Sequence, residues 1–530
     1  MIFAFASAFS SSILLALSFP GLGFPFLAWI GLVPFFISVR NRGYLATLTI
    51  SFTAGTLFFT VVSHWLSEID GMRWFDQLLF MSFLGTYYVL FTFLLKIISE
   101  KSKMPVILSA PVVWVSVEYL RSHIDFLSLP WALLGHSQYQ NIPFIQLSTI
   151  TGVYGLSFLI VMANAALAEL VINRFRPGRQ VVATLGVVLL ALTCGFTMVP
   201  EKFEGMTPPV TVVQGNFSLE RELDREYQKE IIAKQVELTR GAAQASETSL
   251  IVWPEGSVRG VMDNKSVLSQ TISDLSRDVD VPLLVGSSRR PKITQKKYDL
   301  NNYTVDDFIS LKPGEKISLK RRYYNSAFYF SSKGKLLAQY NKARLLPFGE
   351  YTPHRETIPW PARYRETDDF VPGNEIKIME LGDSRFGVLI CWENIFPELF
   401  RKYVLNGADF MVNITNESWF GDTAAPVQFL SMSVFRAVEN RVPVIRSANT
   451  GISCFIDPLG RITGKVTKGN KNTFIEGYLT QRVPLSHNRT FYTRYGDVFA
   501  FICIGMTLLL VFQSVIKPKE KLMTCKRKED

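Results

Sequence analysis

The stretch FGVLICWENIFPE, residues 386–398, runs through apolar and small residues to Cys391 and sets Glu393 two positions further on. A short apolar run of this kind reads as a buried strand, and the cysteine falls where the strand ends. A thiol and a carboxylate there are either packing residues or a nucleophile with a supporting acid. Similar runs recur through residues 205–482: PVTVVQGN (209–216), SLIVWPE (249–255), VPLLVGSS (281–288), SAFYFSS (326–332), RFGVLICWE (385–393), ADFMVNIT (408–415) and VPVIRSAN (442–449). The segments 219–245 and 423–440 between them read as helices. The alternation is that of an α/β domain with buried central strands, and about 280 residues can bury a substantial core.

The rest of the 530-residue chain is different. The whole is 48% hydrophobic with a mean hydropathy of +0.18, yet 19% charged, so a membrane part and a soluble part are expected together. A bilayer core takes about 20 apolar residues as a helix. Seven such runs precede residue 200, at 2–19, 22–39, 44–63, 77–97, 104–120, 152–171 and 181–198, and one follows at 495–515. Glu118 makes the fifth the least clean. The first has no basic n-region, so it reads as a retained helix rather than a signal peptide.

Every second connection is basic: Arg40 and Arg42, then Lys96, Lys101 and Lys103, then Arg174, Arg176 and Arg179, then the lysine-rich tail. The loop 64–76 instead carries Glu68, Asp70 and Asp76 against Arg73. The positive-inside rule then places both termini in the cytoplasm and 199–494 on the opposite side. The domain plan is seven helices in 1–198, a catalytic domain in 199–490, an eighth helix at 495–515 and a basic tail at 516–530. Topology thus accounts for most of the net charge of +11, and nucleic acid is not expected as a partner. The span centres carry few charges, which argues against a transporter. The loop LPWALLGHSQYQ (129–140) suits the membrane interface, as structure or as a lipid contact.

The five cysteines form no CxxC pair and the five histidines have no metal-ligand spacing, so neither a disulfide framework nor a metal or cofactor is expected. Polar residues do recur where strands end. Glu255 follows SLIVWP, Cys391 follows FGVLI, and Asn416 and Glu417 follow FMVNIT; in α/β folds such positions collect into one site. YNKARLLPFGEYTP (340–353) adds Lys342 and Glu350. Taken singly, each has an ordinary explanation: a small buried hydrophobe, a surface carboxylate, a solvated lysine. Together they meet the needs of acyl transfer. The thiolate is the nucleophile, so the thiol needs a base, and a carboxylate is the available one. A lysine can stabilise the oxyanion.

WPE, NKxxLxPFGE and CWE, in this order, resemble the Glu-Lys-Cys signature of the nitrilase (carbon–nitrogen hydrolase) superfamily. With the apolar runs around them the chain resembles the apolipoprotein N-acyltransferase family over nearly its full length. VQGN (213–216), PWALLGHSQ (130–138), NESWFG (416–421) and RSANTG (446–451) add to the likeness. The resemblance implies eight transmembrane helices and an extramembrane α-β-β-α sandwich on the periplasmic side of the bacterial inner membrane. It implies Cys391 as nucleophile, Glu255 as general base and Lys342 as oxyanion stabiliser. Glu350 and Glu393 would be supporting carboxylates, and Asn325 would shape the site. The acyl donor would be a phospholipid, typically phosphatidylethanolamine. The acceptor would be the α-amine of the diacylglyceryl-cysteine that begins an apolipoprotein.

Two departures stand out. Trp392 follows the nucleophile where many relatives have Tyr, and a tryptophan common after VQG has no match in NFSLERELD. The segments 354–371 and 417–426 read as lids, with Trp360, Tyr364, Trp392, Trp419 and Phe420 as candidate lid or substrate contacts. One chain holds the whole expected site, so a monomer is expected. The rival readings are a membrane-tethered amidase, which would not need eight spans, and a binding scaffold, which would not need all three of Glu255, Lys342 and Cys391.

Overall fold

In the computed structural model, residues 1–516 are described apart from 103, 200–202, 204, 219–224, 259–261, 263–265, 290–322, 362–363, 365–369 and 487. Lys103 and the basic tail from Lys517 onward lie outside the described residues, as does the start of the 219–245 segment.

Each of the eight apolar runs contains helix. Among the described residues, five helices are long and apolar enough to cross a membrane: Tyr44–Val62, Trp74–Lys101, Ser148–Ile172, Arg179–Thr197 and Val498–Ile516. Ile2–Ser18 and Pro25–Val39 are shorter apolar helices. The second of these is broken into Pro25–Leu27, Ala28–Gly31 and Val33–Val39. A break inside an apolar bundle frees backbone groups that need partners. Asn164 supplies them: its Nδ2 donates to the Ala28 carbonyl at 2.8 Å, and its Oδ1 accepts from the Leu32 amide at 2.8 Å.

Val106–Ser122 carries buried Glu118 and Arg121. Glu118 Oε1 accepts from the Leu134 amide (2.8 Å), and Arg121 Nη1 donates to the Leu129 and Trp131 carbonyls (3.2 and 2.6 Å). The charges that blur this helix in the sequence therefore fasten the 129–134 loop. Trp131, Leu133, Leu134 and His136 are all buried, which makes that loop structure rather than a lipid-facing surface.

Among the described residues, the extramembrane part holds two six-stranded sheets. One runs Ile462–Lys465, Cys454–Ile456, Val444–Ala448, Phe410–Thr415, Ser384–Ile390, Ile378–Leu381; the other runs Gly477–Gln481, Val210–Gln214, Leu250–Val252, Leu283–Arg289, Tyr324–Phe330, Leu336–Asn341. Three adjacent strands in each are parallel: 444–448, 410–415 and 384–390 in the first, and 210–214, 250–252 and 283–289 in the second. All seven strands read from the sequence are present. The outer strands were missed because they are half-buried and mix polar with apolar residues, as in Ile462–Lys465 and Gly477–Gln481.

Successive residues of the second sheet face opposite ways. Val210, Val212, Leu250, Val252, Leu284 and Tyr329 pack toward the first sheet. Val213, Ile251, Leu283, Val285 and Phe328 pack toward Arg225–Ala245 and Val267–Val279 on the outside. Pro397–Leu405 and Ala425–Asn440 cover the first sheet, which completes an α-β-β-α sandwich. Strands buried on both faces need continuous apolar runs, and these are the runs visible in the sequence.

Ala425–Asn440 also joins the sandwich to the bundle. Gln428 Oε1 accepts from Trp65 Nε1 (3.1 Å) and Trp131 Nε1 (2.8 Å), while its Nε2 donates to the Val62 carbonyl (2.9 Å).

Candidate active site

The polar residues at the strand ends meet. Cys391 follows Ser384–Ile390 and opens the 3-10 turn Cys391–Ile395 with φ +57°, a left-handed conformation uncommon for a side chain with a Cβ. Glu255 lies beyond Leu250–Val252, and Lys342 directly after Leu336–Asn341. Lys342 is 1% exposed, and its Nζ lies 2.9 Å from Glu350 Oε1 and 3.4 Å from Glu255 Oε1. Asn325 Nδ2 donates to the same two oxygens, at 2.8 Å to Glu255 and 2.9 Å to Glu350. The remaining carboxylate oxygens accept backbone amides, Asn416 N onto Glu255 Oε2 (2.9 Å) and Leu346 N onto Glu350 Oε2 (2.6 Å).

Electrostatics follow from this packing. Burial works against charge on Lys342, but Glu350 and Glu255 outweigh it and hold the ammonium firmly protonated. Burial pushes the Cys391 thiol up to about 12; Glu255 and Glu350 add to the rise and Lys342 opposes it. The thiol therefore rests neutral at ordinary pH.

Glu393 is fully buried and points away from solvent. Its Oε1 accepts from Tyr340 Oη (2.8 Å) and from the Ala343 and Arg344 amides (2.7 and 3.0 Å), and its Oε2 from the Ile390 amide (2.8 Å). It therefore clamps the lysine-bearing segment to the Cys391 turn. Among the described residues no cluster of three or more His, Cys, Asp and Glu side chains could hold a metal ion.

The chain matches two family models, an apolipoprotein N-acyltransferase N-terminal domain over residues 11–166 and a carbon-nitrogen hydrolase over residues 210–486. An apolipoprotein N-acyltransferase of Geobacter metallireducens is 34% identical over 510 residues, with 93% of this chain and 92% of the relative covered. The chain belongs to the apolipoprotein N-acyltransferase family. Another relative, apolipoprotein N-acyltransferase 1 of Treponema denticola, is 25% identical with 96% of each chain covered. Among solved structures, an amidase from Nesterenkonia sp. is similar at 16% identity and a TM-score of 0.36, covering 56% of this chain and 95% of that one.

The aromatic residues of this acyltransferase divide into three settings. Trp360 and Tyr364 gather around Phe348, with ring centroids 5.0 and 5.4 Å away, and Phe126 from the bundle side joins at 6.3 Å. Residues 362–363 and 365–369 of that segment lie outside the described residues. Phe420 packs against Trp65 at 5.0 Å, and Trp419 beside it is 46% exposed. Trp392 is buried in the Cys391 turn, where its Nε1 donates to the Arg344 carbonyl (2.7 Å).

The sequence reading did not single out Asn413, Arg446 or Asn449. Asn449 Nδ2 donates to the Phe217 carbonyl (2.8 Å) and to Asn416 Oδ1 (3.1 Å), which brings VQGN, NESWFG and RSANTG together. A polar residue inside an apolar strand, as in FMVNIT and VPVIRSA, was the available signal.

Proposed function

We propose that this protein transfers an acyl chain from a phospholipid, typically phosphatidylethanolamine, through a thioester on Cys391, to the α-amine of an apolipoprotein's diacylglyceryl-cysteine. The observation that carries the reading is the Lys342 ammonium held by Glu350 and Glu255, with the Cys391 thiol near enough to feel the charges of all three. Glu255 takes the thiol proton as sulfur attacks the ester carbonyl. Lys342 Nζ donates to the oxyanion of the tetrahedral intermediate. Its collapse expels the lysophospholipid alkoxide, which takes the proton back from Glu255. The acceptor amine then attacks the thioester, gives its proton to Glu255, and the thiol is restored. Glu350 and Asn325 keep Lys342 charged and aligned, and Glu393 fixes the turn.

The reading extends to placement. Eight helices cross the inner membrane with both termini cytoplasmic, and the domain at 199–490 stands on the periplasmic side. The segments 354–371, part of which lies outside the described residues, and 417–426 would close over substrates arriving from the bilayer; contact of the latter with the bundle through Phe420 and Trp65 supports this. One chain would suffice for turnover.

The deciding experiment is intact-mass analysis after incubation with phosphatidylethanolamine and no acceptor. One acyl chain should be gained, removed by neutral hydroxylamine, discharged by a diacylated lipopeptide and absent in Cys391→Ala. No adduct with any phospholipid, together with hydrolysis of a small amide, would replace this reading with a hydrolase.

A further inference from the structure

Cys391 and Glu255 sit on different sheets, and nothing in either strand alone keeps them at reacting distance. One buried network runs between them. Asn413, 1% exposed on Phe410–Thr415, donates from Nδ2 to the carbonyls of Leu389 (3.1 Å) and Cys391 (3.2 Å). Its Oδ1 accepts from Arg446 Nε at 3.3 Å. Arg446, fully buried on Val444–Ala448, pairs through Nη2 with Glu417 and donates from Nη1 to the Ile452 carbonyl (3.4 Å). Glu417, also fully buried, is next in the chain to Asn416, whose amide holds Glu255. A Cβ at Gly451 would overlap the Glu417 carboxylate, so a glycine there is what admits it.

We propose that Asn413, Arg446 and Glu417 form a positioning relay that keeps the left-handed Cys391 turn and the Asn416 amide in register, and thereby keeps the thiol against Glu255. The inference rests on the roles assigned to Cys391 and Glu255 above. Three features make the relay suited to this. Asn413 bonds the carbonyl of the one residue in the turn with strained backbone geometry. Arg446 reaches Asn413 and Glu417 at once with a rigid planar fork, which a lysine could not do. The pair is fully buried, and an ion pair so placed is weak evidence for stability and better suited to fixing one arrangement.

The test uses the full-length protein and two readouts. The first is the rate of iodoacetamide alkylation of Cys391 against pH, by peptide mass, in wild type, Asn413→Leu, Glu255→Gln and the double variant. Removing Glu255 should speed alkylation in the wild-type background and change nothing in the Asn413→Leu background. The second is the rate of acyl-adduct formation across a series of phosphatidylethanolamine concentrations. Asn413→Leu should slow it about 100-fold at saturating donor with an unchanged KM, the scale expected of a misplacement near 1 Å. Asn413→Asp keeps an acceptor for Arg446 but no donor for the two carbonyls, and should behave as Asn413→Leu. Should the leucine variant fail to fold, Glu417→Gln carries the same coupling test.

If Glu255→Gln speeds alkylation equally in both backgrounds, the relay is overturned and Asn413 is only a strut in the sheet. If wild type forms no acyl adduct, the acyltransferase reading fails, while the alkylation coupling still decides the relay.

Discussion

Glu255 has two opposed effects on Cys391. As a negative neighbour it adds to the rise that burial gives the thiol, and as a base it is expected to remove the proton during attack. Glu255→Gln should therefore lower the thiol pKa, and alkylation at pH 8 should quicken in proportion to the thiolate present, roughly tenfold for a pKa lower by one, while acyl-adduct formation collapses. Alkylation and intact-mass kinetics on one preparation check both halves. Glu393 gives a second prediction. Burial pushes its carboxyl up to about 7, against the pull of the Ile390 and Arg344 amides and the Tyr340 hydroxyl. The folded protein then keeps this proton through a window in which the unfolded chain has released it. Its contribution favours the folded state below about pH 4.5, fades as pH rises and is gone above about pH 7. Melting midpoints across that window should fall with pH more steeply in wild type than in Glu393→Gln. The three catalytic candidates were legible because each follows a strand end in a recognisable motif. Asn413 and Arg446 were not, because a polar residue within a strand has meaning only once its neighbours on adjacent strands are known.

Helices of this chain are fastened at identifiable points. Ser148–Ile172 kinks at Gly152, where φ is +62° and a Cβ would stand 2.7 Å from the Tyr492 ring. Gly152→Ala should cost about 2 kcal/mol or more, from the left-handed backbone and the clash together. Thermal unfolding in detergent would measure it. Ala425–Asn440 depends on Gln428, the shared partner of Trp65, Trp131 and Val62. Gln428→Ala leaves buried donors and a carbonyl without that partner, and should lose about 1–3 kcal/mol in the same assay. The existence of the apolar helices was clear in the sequence, whereas their ends moved: the span read at 77–97 is the helix Trp74–Lys101, and 152–171 is Ser148–Ile172. Hydropathy marks the apolar centre of a helix, while hydrogen bonding carries the helix past it into polar residues.

At the scale of the molecule, the sandwich is seated on the bundle through several contacts. Glu439 Oε1 accepts from the Val153 amide (3.3 Å), Gln146 Nε2 donates to the Leu459 carbonyl (3.1 Å), and Arg441 Nη2 donates to the Met198 carbonyl (2.9 Å). The proposed topology makes the loops on the two sides of the bundle react differently. With a membrane-impermeant maleimide, Asp70→Cys should label in intact spheroplasts and Ser102→Cys only after the membrane is opened. The reverse pattern would invert the orientation. Among Trp360, Tyr364, Trp392, Trp419 and Phe420, Trp419 is the exposed one, beside Phe420 packed on Trp65. Trp419→Phe should remove a measurable share of tryptophan quenching by brominated phospholipid, and Trp360→Phe, inside its aromatic cluster, should remove less.

The order of residues alone carries the apolar runs, the strands buried on both faces and the succession of the Glu, Lys and Cys motifs. Each is a local pattern: hydropathy summed over a window, or a few residues beside a strand end. Folding settled what those patterns meet. It turned Glu118 and Arg121 into fasteners of the 129–134 loop, set the Lys342 ammonium between two carboxylates, and ran a buried network from Cys391 through Asn413, Arg446 and Glu417 to the turn beneath Glu255. Those outcomes depend on groups dozens to hundreds of residues apart, and their charges acquire their strength only when folding removes the water between them.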